Sequence, residues 1–178
     1  MVEKKLLTVA GVAGILACGA CFLPPLPQKK APLPPALASV HRITIQVEDG
    51  TGNKLFDPLI MSNATASNFN ELWSGFPVRA EAVNAREPID TLLKITVHRE
   101  TVSCKAESKD ELFCSYEMII SVALTDADGR VLKGKDQALS KFGLWYHGTS
   151  LAENLNANPF RQQTSYSLAM TAGDVLFY

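Results

Sequence analysis

Long apolar runs and an excess of one charge are both missing from this sequence of 178 residues. The apolar or small stretch from Leu6 to Ala17, which ends at Cys18, holds about a dozen residues, whereas a membrane-spanning helix needs about 20. The 17 basic and 18 acidic side chains nearly cancel, with neither a polybasic run nor an acidic tail. This balance predicts no nucleic-acid partner.

Clustered metal ligands and catalytic signatures are missing as well. The three histidines are scattered at His41, His98 and His147, whereas zinc sites need Cys or His ligands at short spacings. No H-E-x-x-H sequence or paired-carboxylate motif occurs, and no nucleophile elbow surrounds Ser150, Ser165 or Ser167. The sequence therefore predicts a protein that is not an enzyme and holds no metal or cofactor.

The amino-terminal residues have the order of a secretory signal. Lys4 and Lys5 precede the apolar stretch, and Cys18 follows it directly after the small residue Ala17. This order predicts a signal peptide over residues 1–17. Its end resembles the bacterial lipobox, in which the cysteine becomes the lipidated first residue of the mature protein. Cys18 is the predicted lipidation site and Cys21 the alternative, while a plain cleaved signal with chance cysteines is a third interpretation.

Proline is concentrated directly after this signal. Six of the ten prolines lie between Phe22 and Ala38, and proline favours extended polyproline II while excluding helix interiors and central strands. Residues 18–38 are therefore predicted to be a lipidated cysteine with a semi-rigid tether, or alternatively a disordered spacer without defined reach. The remaining residues, 39–178, are long enough for one domain with one core.

Three antiparallel strands are predicted between Asp90 and Tyr146. Apolar residues alternate with polar ones from Cys114 to Leu124, and Leu93, Ile95 and Val97 alternate in the same way, which is typical of half-buried strands. Asp128-Gly129 supplies a tight turn, after which the third strand is predicted over residues 138–146. The register of that strand is left open because its apolar residues do not alternate.

The flanking segments complete an α+β pattern. A first strand is predicted over Arg42–Val47, a helix from Asp57-Pro58 to Gly75, and a short strand over Val78–Val83. A closing helix follows Asn158-Pro159, and one face of it is predicted to pack in the core: Tyr166, Ala169, Met170, Gly173, Leu176 and Phe177. This order predicts a mixed four- or five-stranded sheet with two helices packed on one face.

Cys104 and Cys114 stand at the two ends of the predicted hairpin loop. Antiparallel pairing would bring the two cysteines opposite each other, so the sequence predicts a disulfide that stabilises the fold by about 2 to 3 kcal/mol. Two unpaired core cysteines are the alternative interpretation, and a metal site has weaker support because the histidines are scattered and do not cluster with these cysteines at short spacings.

Taken together, these elements resemble the LPS-assembly lipoproteins of the outer membrane, the LptE-like family. The matching features are Cys18-Gly19, the strand running into Glu48-Asp49-Gly50-Thr51, the helix after Asp57-Pro58, Asp90-Thr91-Leu92-Leu93, the turn from Thr125 to Leu132, Trp145-Tyr146 and the closing helix. The resemblance implies a non-catalytic protein anchored to the periplasmic face of the outer membrane. Its expected partner is an LptD-like β-barrel, which it plugs while assisting lipopolysaccharide assembly.

The same resemblance implies where lipopolysaccharide would bind. Basic residues in the hairpin loop and in the loop before the closing helix correspond to Lys105, Lys109 and Arg161, and each could pair with a lipid A phosphate. Acidic residues share both loops, so each lysine could also be a solvated loop residue. The alternative function is a periplasmic lipoprotein that uses the proline segment to reach and activate a peptidoglycan synthase.

Overall fold

The computed structural model of the protein describes residues 33–83, 89–109, 111–147 and 158–178. The elements in this part of the chain are β1 (Arg42–Asp49), α1 (Pro58–Leu72), β2 (Arg79–Ala82), β3 (Thr91–Ala106), β4 (Glu111–Asp126), β5 (Val131–His147) and α2 (Asn158–Phe177). None of the helices found there is long and apolar enough to cross a membrane. The predicted signal peptide, both candidate lipidation cysteines and the predicted loop before α2 lie outside the described residues.

The strands form one mixed sheet in the order β2-β1-β3-β4-β5. β1 runs parallel to β2 and to β3, while β3, β4 and β5 form an antiparallel meander. α1 packs against β1 and β2, α2 packs against β5, and the two helices pack against each other. The predicted α+β fold is therefore confirmed, with a five-stranded mixed sheet and both helices on one face.

The alternation read from the sequence decides which face of the sheet is covered. All even-numbered residues of β4 from Cys114 to Leu124 are buried, as are Leu93, Ile95 and Val97 of β3. Their side chains point towards the helices, and the odd-numbered residues of β4 point to the opposite face. Because the side-chain period of a strand is two, this single pattern fixes which face of the sheet packs against the helices.

β5 is longer than the sequence indicates. It begins at Val131, immediately after the Asp128-Gly129 turn, and not near residue 138. Its first half is polar and lies at the edge of the sheet, and its register against β4 shifts between Ile120 and Val122. The first half of β5 does not show the apolar alternation on which sequence analysis depends, because it lies at a solvated edge and is followed by a β-bulge at the register shift.

The predicted start of α1 is confirmed. The Leu59 and Ile60 backbone N–H groups donate to Asp57 Oδ1 at 2.9 and 3.0 Å, and Pro58 occupies the first helical position. The cap satisfies two donors that have no partner within the helix. Many residues of α1 are poor helix formers, so this cap is a necessary part of its stability.

Replacing Asp57 with alanine is expected to lower the free energy of unfolding by about 1 kcal/mol. Asp57→Asn should behave nearly as the wild type, because asparagine caps helices about as well as aspartate. Urea unfolding of both variants tests this pair. Equal stability of Asp57→Ala and Asp57→Asn would show that the capping hydrogen bonds of this side chain do not stabilise the helix.

The predicted core face of α2 is only partly correct. Ala169, Gly173, Leu176 and Phe177 are buried, but Tyr166 and Met170 are 43% and 40% exposed. The buried stripe instead includes Leu168 and continues through small or polar residues, which hydropathy patterns do not report: Thr164, Ser165 and Ala172. These small side chains let α2 approach the sheet and α1 closely. Tyr166 and Met170 consequently lie on the flank of the helix.

The folded domain takes in the end of the segment that the sequence assigned to the tether. Pro35–Leu37 forms one 3-10 turn, and the Leu37 side chain is 1% exposed within the core. Leu33 also packs against that core. Burial of the Leu37 side chain removes enough apolar surface from water to hold this part of the proline-rich stretch against the domain.

Candidate binding surface

The three antiparallel strands extend well beyond the shorter parallel ones. Pairing between β1 and β3 ends at Asp49 and Val97, and the Gly50 N–H donates to the Val97 carbonyl at 2.8 Å. Past this point β3 has only β4 as a strand neighbour among the described residues. We call the projecting part the arm: residues 99–106 of β3, 111–118 of β4 and 140–147 of β5.

The two faces of the arm differ in cover. The first turn of α2 places Phe160 on the helix-side face, where it packs in a separate apolar cluster that contains Cys114, Tyr116, Leu144 and Tyr146. Neither of the described helices covers the opposite face, which we call the open face. The arm is therefore supported from one side and accessible from the other.

The helix-side cluster holds the arm through aromatic packing and one buried hydrogen bond. The Tyr116 and Tyr146 hydroxyls lie 2.5 Å apart, and the Tyr116 ring stacks on Phe142 at a centroid distance of 4.8 Å. Burial and the hydrogen bond with Tyr146 both raise the pKa of the Tyr116 hydroxyl. Tyr116 is thus a neutral structural residue that makes this end of the sheet rigid.

A row of three residues crosses the open face. The register aligns Lys105 of β3 with Phe113 of β4, and Phe113 with Trp145 of β5. The Phe113 and Trp145 ring centroids are 5.1 Å apart. The Phe113 ring also lies over Gly143, where an added Cβ would approach Phe113 Cζ to 2.5 Å. Gly143 therefore provides the space that the Phe113 ring occupies.

The aromatic pair continues into an apolar and charged surface. Trp145 is 57% exposed and Leu139, three rows further along β5, is 53% exposed. Between them, Lys141 forms an ion pair with Glu117. Exposed aromatic and aliphatic side chains on a rigid sheet are typical of an interaction surface.

The β3 side of the arm is exposed on both faces. Val102 points to the helix side of the sheet but remains 39% exposed, because neither helix reaches it. Cys104 and Cys114 are joined by a disulfide, as the sequence predicted, with a Cα–Cα distance of 4.1 Å. This covalent link holds β3, the outer strand of the arm, to β4, its one strand neighbour among the residues described.

Two carboxylates mark the base of the arm. Burial alone would raise the pKa of Asp49, but hydrogen bonds from Thr51 and Leu55 lower it below its ordinary value. Glu100 has the opposite shift, because its own burial and the nearby Asp49 charge raise its pKa. In the described part of the chain, Glu100 Oε1 is buried without a hydrogen-bond partner, and no cluster there could hold a metal ion.

The structure does not bring the three predicted lipopolysaccharide contacts into one site. Lys105 lies on the open face, where it forms an ion pair with Glu107 at 3.1 Å, and Lys109 is exposed in the adjoining turn. Arg161 lies in the helix layer on the other side of the sheet, in the first turn of α2 and not in a loop. There it lines a small pocket of about 120 Å³ with Phe56, Ile60 and other residues.

The Phe113–Trp145 pair was not predicted from the sequence, because its formation depends on the pairing register between β4 and β5. Trp145 and Phe113 are 32 positions apart in the sequence, and neither alternation nor composition places them side by side. Two signals could have located the row. A Cys104–Cys114 link aligns Lys105 with Phe113, and the short turn after Asp126 brings β5 back along β4.

Comparisons with known proteins give structural neighbours but no family. No family model and no curated protein matches the chain. Among solved structures, the chain is similar to a PelC dodecamer from Paraburkholderia phytofirmans, with 11% identity and a TM-score of 0.43 over 84% of this chain and 96% of that one. It is also similar to the rare lipoprotein B from Shewanella oneidensis, with 11% identity and a TM-score of 0.37 over 74% and 94%.

A third similar structure is the uncharacterized lipoprotein B from Nitrosomonas europaea. It has 17% identity and a TM-score of 0.35, with coverage of 81% of each chain. The structures to which this chain is similar therefore include bacterial lipoproteins, and none of these likenesses identifies a particular family.

Proposed function

We propose that this chain is a non-catalytic lipoprotein on the periplasmic face of the outer membrane, and that it docks onto another envelope protein through the arm. The finer proposal is that the partner is an LptD-like β-barrel, which the chain plugs while assisting lipopolysaccharide assembly. The observation that carries the docking role is the exposed Trp145, held beside the half-buried Phe113 on a sheet face that no described helix covers.

The energetics of this pair suit a binding surface. Tryptophan is among the residues that contribute most to protein interfaces, and such residues act best when the free protein already holds them in place. Here the Phe113 ring, the Gly143 backbone and the strands beneath keep Trp145 positioned. Binding would therefore bury a large apolar surface without ordering a flexible loop.

The shape of the arm suits insertion into a concave partner. It is a three-stranded projection, stiffened by a disulfide, and its β3 edge has no strand neighbour along residues 99–106 within the described part of the chain. An edge strand of this kind offers backbone hydrogen-bonding groups to a partner. Arg99 and Lys105 make the edge less prone to unspecific pairing.

Lipopolysaccharide contact is proposed for the tip of the arm, at Lys105 and Lys109, and separately for Arg161. The two lysines flank the turn that follows β3, and both are exposed. A phosphate there would compete with Glu107 for the Lys105 ammonium group and would gain a charge-assisted hydrogen bond in its place. Arg161 would need a different part of the ligand, since it lies on the far side of the sheet.

A tagged full-length chain extracted from outer membranes in mild detergent tests the proposal. Mass spectrometry should recover a large β-barrel protein in near-equal amount. Trp145→Ala should reduce this recovery at least tenfold, because loss of a central aromatic contact commonly weakens binding by about 2 kcal/mol or more. The unfolding midpoint should stay close to that of the wild type, because the side chain lies mostly in water.

Leu59→Ala is the matched control, since Leu59 is 58% exposed but lies on α1 in the helix layer. Its recovery of the barrel should equal that of the wild type. Recovery of a peptidoglycan synthase instead would support the alternative tethering function. Unchanged recovery with Trp145→Ala would exclude the open face as the docking surface.

A further inference from the structure

The β3 edge of the arm carries backbone groups that are turned away from the sheet. β1 stops pairing at Asp49, opposite Val97, so no described strand lies beside residues 99–106 of β3. Cys104 and Cys114 are directly paired with a Cα–Cα distance of 4.1 Å, close to the spacing of about 4.5 Å for an antiparallel pair that exchanges no backbone hydrogen bonds. The N–H and C=O of Cys104 therefore point away from β4, towards the free edge.

The same orientation repeats at every second residue along this edge. Because the pairing of β3 with β4 has no register shift within the arm, Glu100 and Val102 also direct their N–H and C=O groups outwards. The N–H of Glu107, on the alternate set, donates to the Glu111 carbonyl at 3.0 Å, which agrees with this assignment. The free edge thus offers a donor and an acceptor at each of Glu100, Val102 and Cys104.

The first of these three residues brings an uncompensated acid to the edge. Glu100 pairs with the buried Met118 of β4, so its side chain lies on the helix-side face. Its Oε1 atom is buried without a hydrogen-bond partner among the described residues, whereas both oxygens of the nearby Asp49 accept hydrogen bonds from Thr51 and Leu55. Because Glu100 as a whole is only partly buried, a cation brought to the edge can reach its carboxylate.

We propose that this edge receives an extended strand of the docking partner, antiparallel to β3, with a lysine or arginine opposite Glu100 and an apolar residue opposite Val102. The inference rests on the docking function proposed above and gives the arm a second contact, at its edge. The added strand would lie in line with β1 and bond to the outward backbone groups of β3. Antiparallel pairing is the more stable arrangement per residue. Read from its amino terminus, the partner strand therefore carries an apolar residue, any residue, and then a lysine or arginine.

Two side chains of β3 set this pattern. Directly opposite residues of an antiparallel pair have their Cβ atoms about 5 Å apart on one face, so a basic residue there can bond to the Glu100 carboxylate. Burial and the Asp49 charge already raise the pKa of Glu100, and a cation would offset both effects. Val102 is 39% exposed on the same face, and an apolar residue opposite it would remove this surface from water.

A second copy of this chain does not supply the pattern. In an antiparallel pair of two β3 edges related by a two-fold axis, opposite residues come from the same face of each strand. The helix-side residues of β3 in the arm are Glu100, Val102, Cys104 and Ala106, and none of them is basic. In every register within the arm, Glu100 would face another acid or an uncharged residue. The occupant is therefore a strand of a different protein.

Peptide selection against the intact chain tests this assignment. The target is the full-length protein in lipid nanodiscs, and the probe is a library of random nine-residue peptides displayed on phage. We expect the enriched peptides to share an apolar residue, any residue, and a lysine or arginine. Selection against Glu100→Gln should lose the preference for a basic residue, and selection against Glu100→Lys should replace it with a preference for Asp or Glu. A basic preference that persists in Glu100→Gln, or no enrichment, would overturn the proposal.

Binding of the most enriched peptide, measured by fluorescence anisotropy, locates it on the arm. Val102→Pro should weaken binding at least tenfold, because proline removes an outward N–H and blocks an added strand but leaves the hydrogen bonds to β4 in place. Val102→Ala keeps that N–H and should weaken binding less. Glu100→Gln should also weaken binding at least tenfold without lowering the unfolding midpoint, because it removes an acid that has no partner in the free protein. Unchanged binding in Val102→Pro would contradict an added strand.

Trp145→Ala separates this inference from the docking function itself. It should leave the peptide affinity within twofold of the wild type, because Trp145 lies on the open face of β5 and not at the β3 edge. If Trp145→Ala abolishes barrel recovery while peptide selection ignores Glu100, docking through the open face stands and the edge strand is excluded. If barrel recovery is unchanged in Trp145→Ala while the peptides follow the expected pattern, the edge strand stands and the open face is excluded.

Discussion

Replacing Gly173 with alanine is expected to lower the free energy of unfolding by about 3 kcal/mol. An added Cβ at Gly173 would lie 1.9 Å from Cε2 and 2.1 Å from Nε1 of Trp73. The indole cannot move aside easily, because its N–H donates to the Ala169 carbonyl at 3.0 Å and Phe69 and Phe177 pack around its ring. Helix α2 would have to shift away from α1.

The sign of this effect makes the test informative. In an exposed helix, glycine to alanine usually stabilises by up to about 1 kcal/mol, so a loss of stability can only come from the contact with Trp73. Gly75→Ala is the control, because no atom lies within 4 Å of an added Cβ there. Urea unfolding should separate the two variants clearly. Equal stability would mean that α2 does not approach Trp73 as closely as described.

Removing the Cys104–Cys114 disulfide is expected to lower the free energy of unfolding by about 2 to 3 kcal/mol. The loss should be concentrated in the arm, because β3 there has β4 as its one described strand neighbour and Val102 receives no cover from the helices. Hydrogen exchange in the double variant Cys104→Ala, Cys114→Ala should rise over residues 99–118. Exchange in β1 and in the second half of β4 should change much less.

The control for this experiment is the next cross-strand pair along the arm. Ser103→Ala with Ser115→Ala changes directly paired neighbours of the two cysteines but leaves the disulfide in place. This variant should exchange nearly as the wild type does. A uniform rise across the whole domain after disulfide removal would show that the arm is part of one cooperative unit with the core. No rise would show that the strands hold together without the bond.

Local sequence signals predicted most of the fold. The alternation in β4 identified the buried face of the sheet, and Asp57-Pro58 identified the start of α1. Asp128-Gly129 located the turn before β5, where Gly129 has a φ of 79° that glycine adopts easily. Each of these signals works because the residue responds to its own backbone geometry or to one side of one element.

The same signals fail where burial depends on a neighbour. Tyr166 and Met170 match the helical period of a core face, yet they lie on the flank of α2. Gly173 and the small residues near it decide the contact with α1, because their lack of bulk permits close approach of Trp73. A hydropathy pattern assigns large apolar residues to the core, but it carries no information about the room that a small residue leaves for a neighbouring side chain.

Sequence alone determined the α+β class, the order of the elements, the covered face of the sheet and the pairing of Cys104 with Cys114. Tertiary structure decided that Phe113 and Trp145 meet on the open face and that Lys105 and Arg161 lie on opposite sides of the sheet. The physical reason is the distance along the sequence over which each signal acts. Caps, turns and alternation act within a few residues, whereas a surface depends on the register between strands that are distant in the sequence.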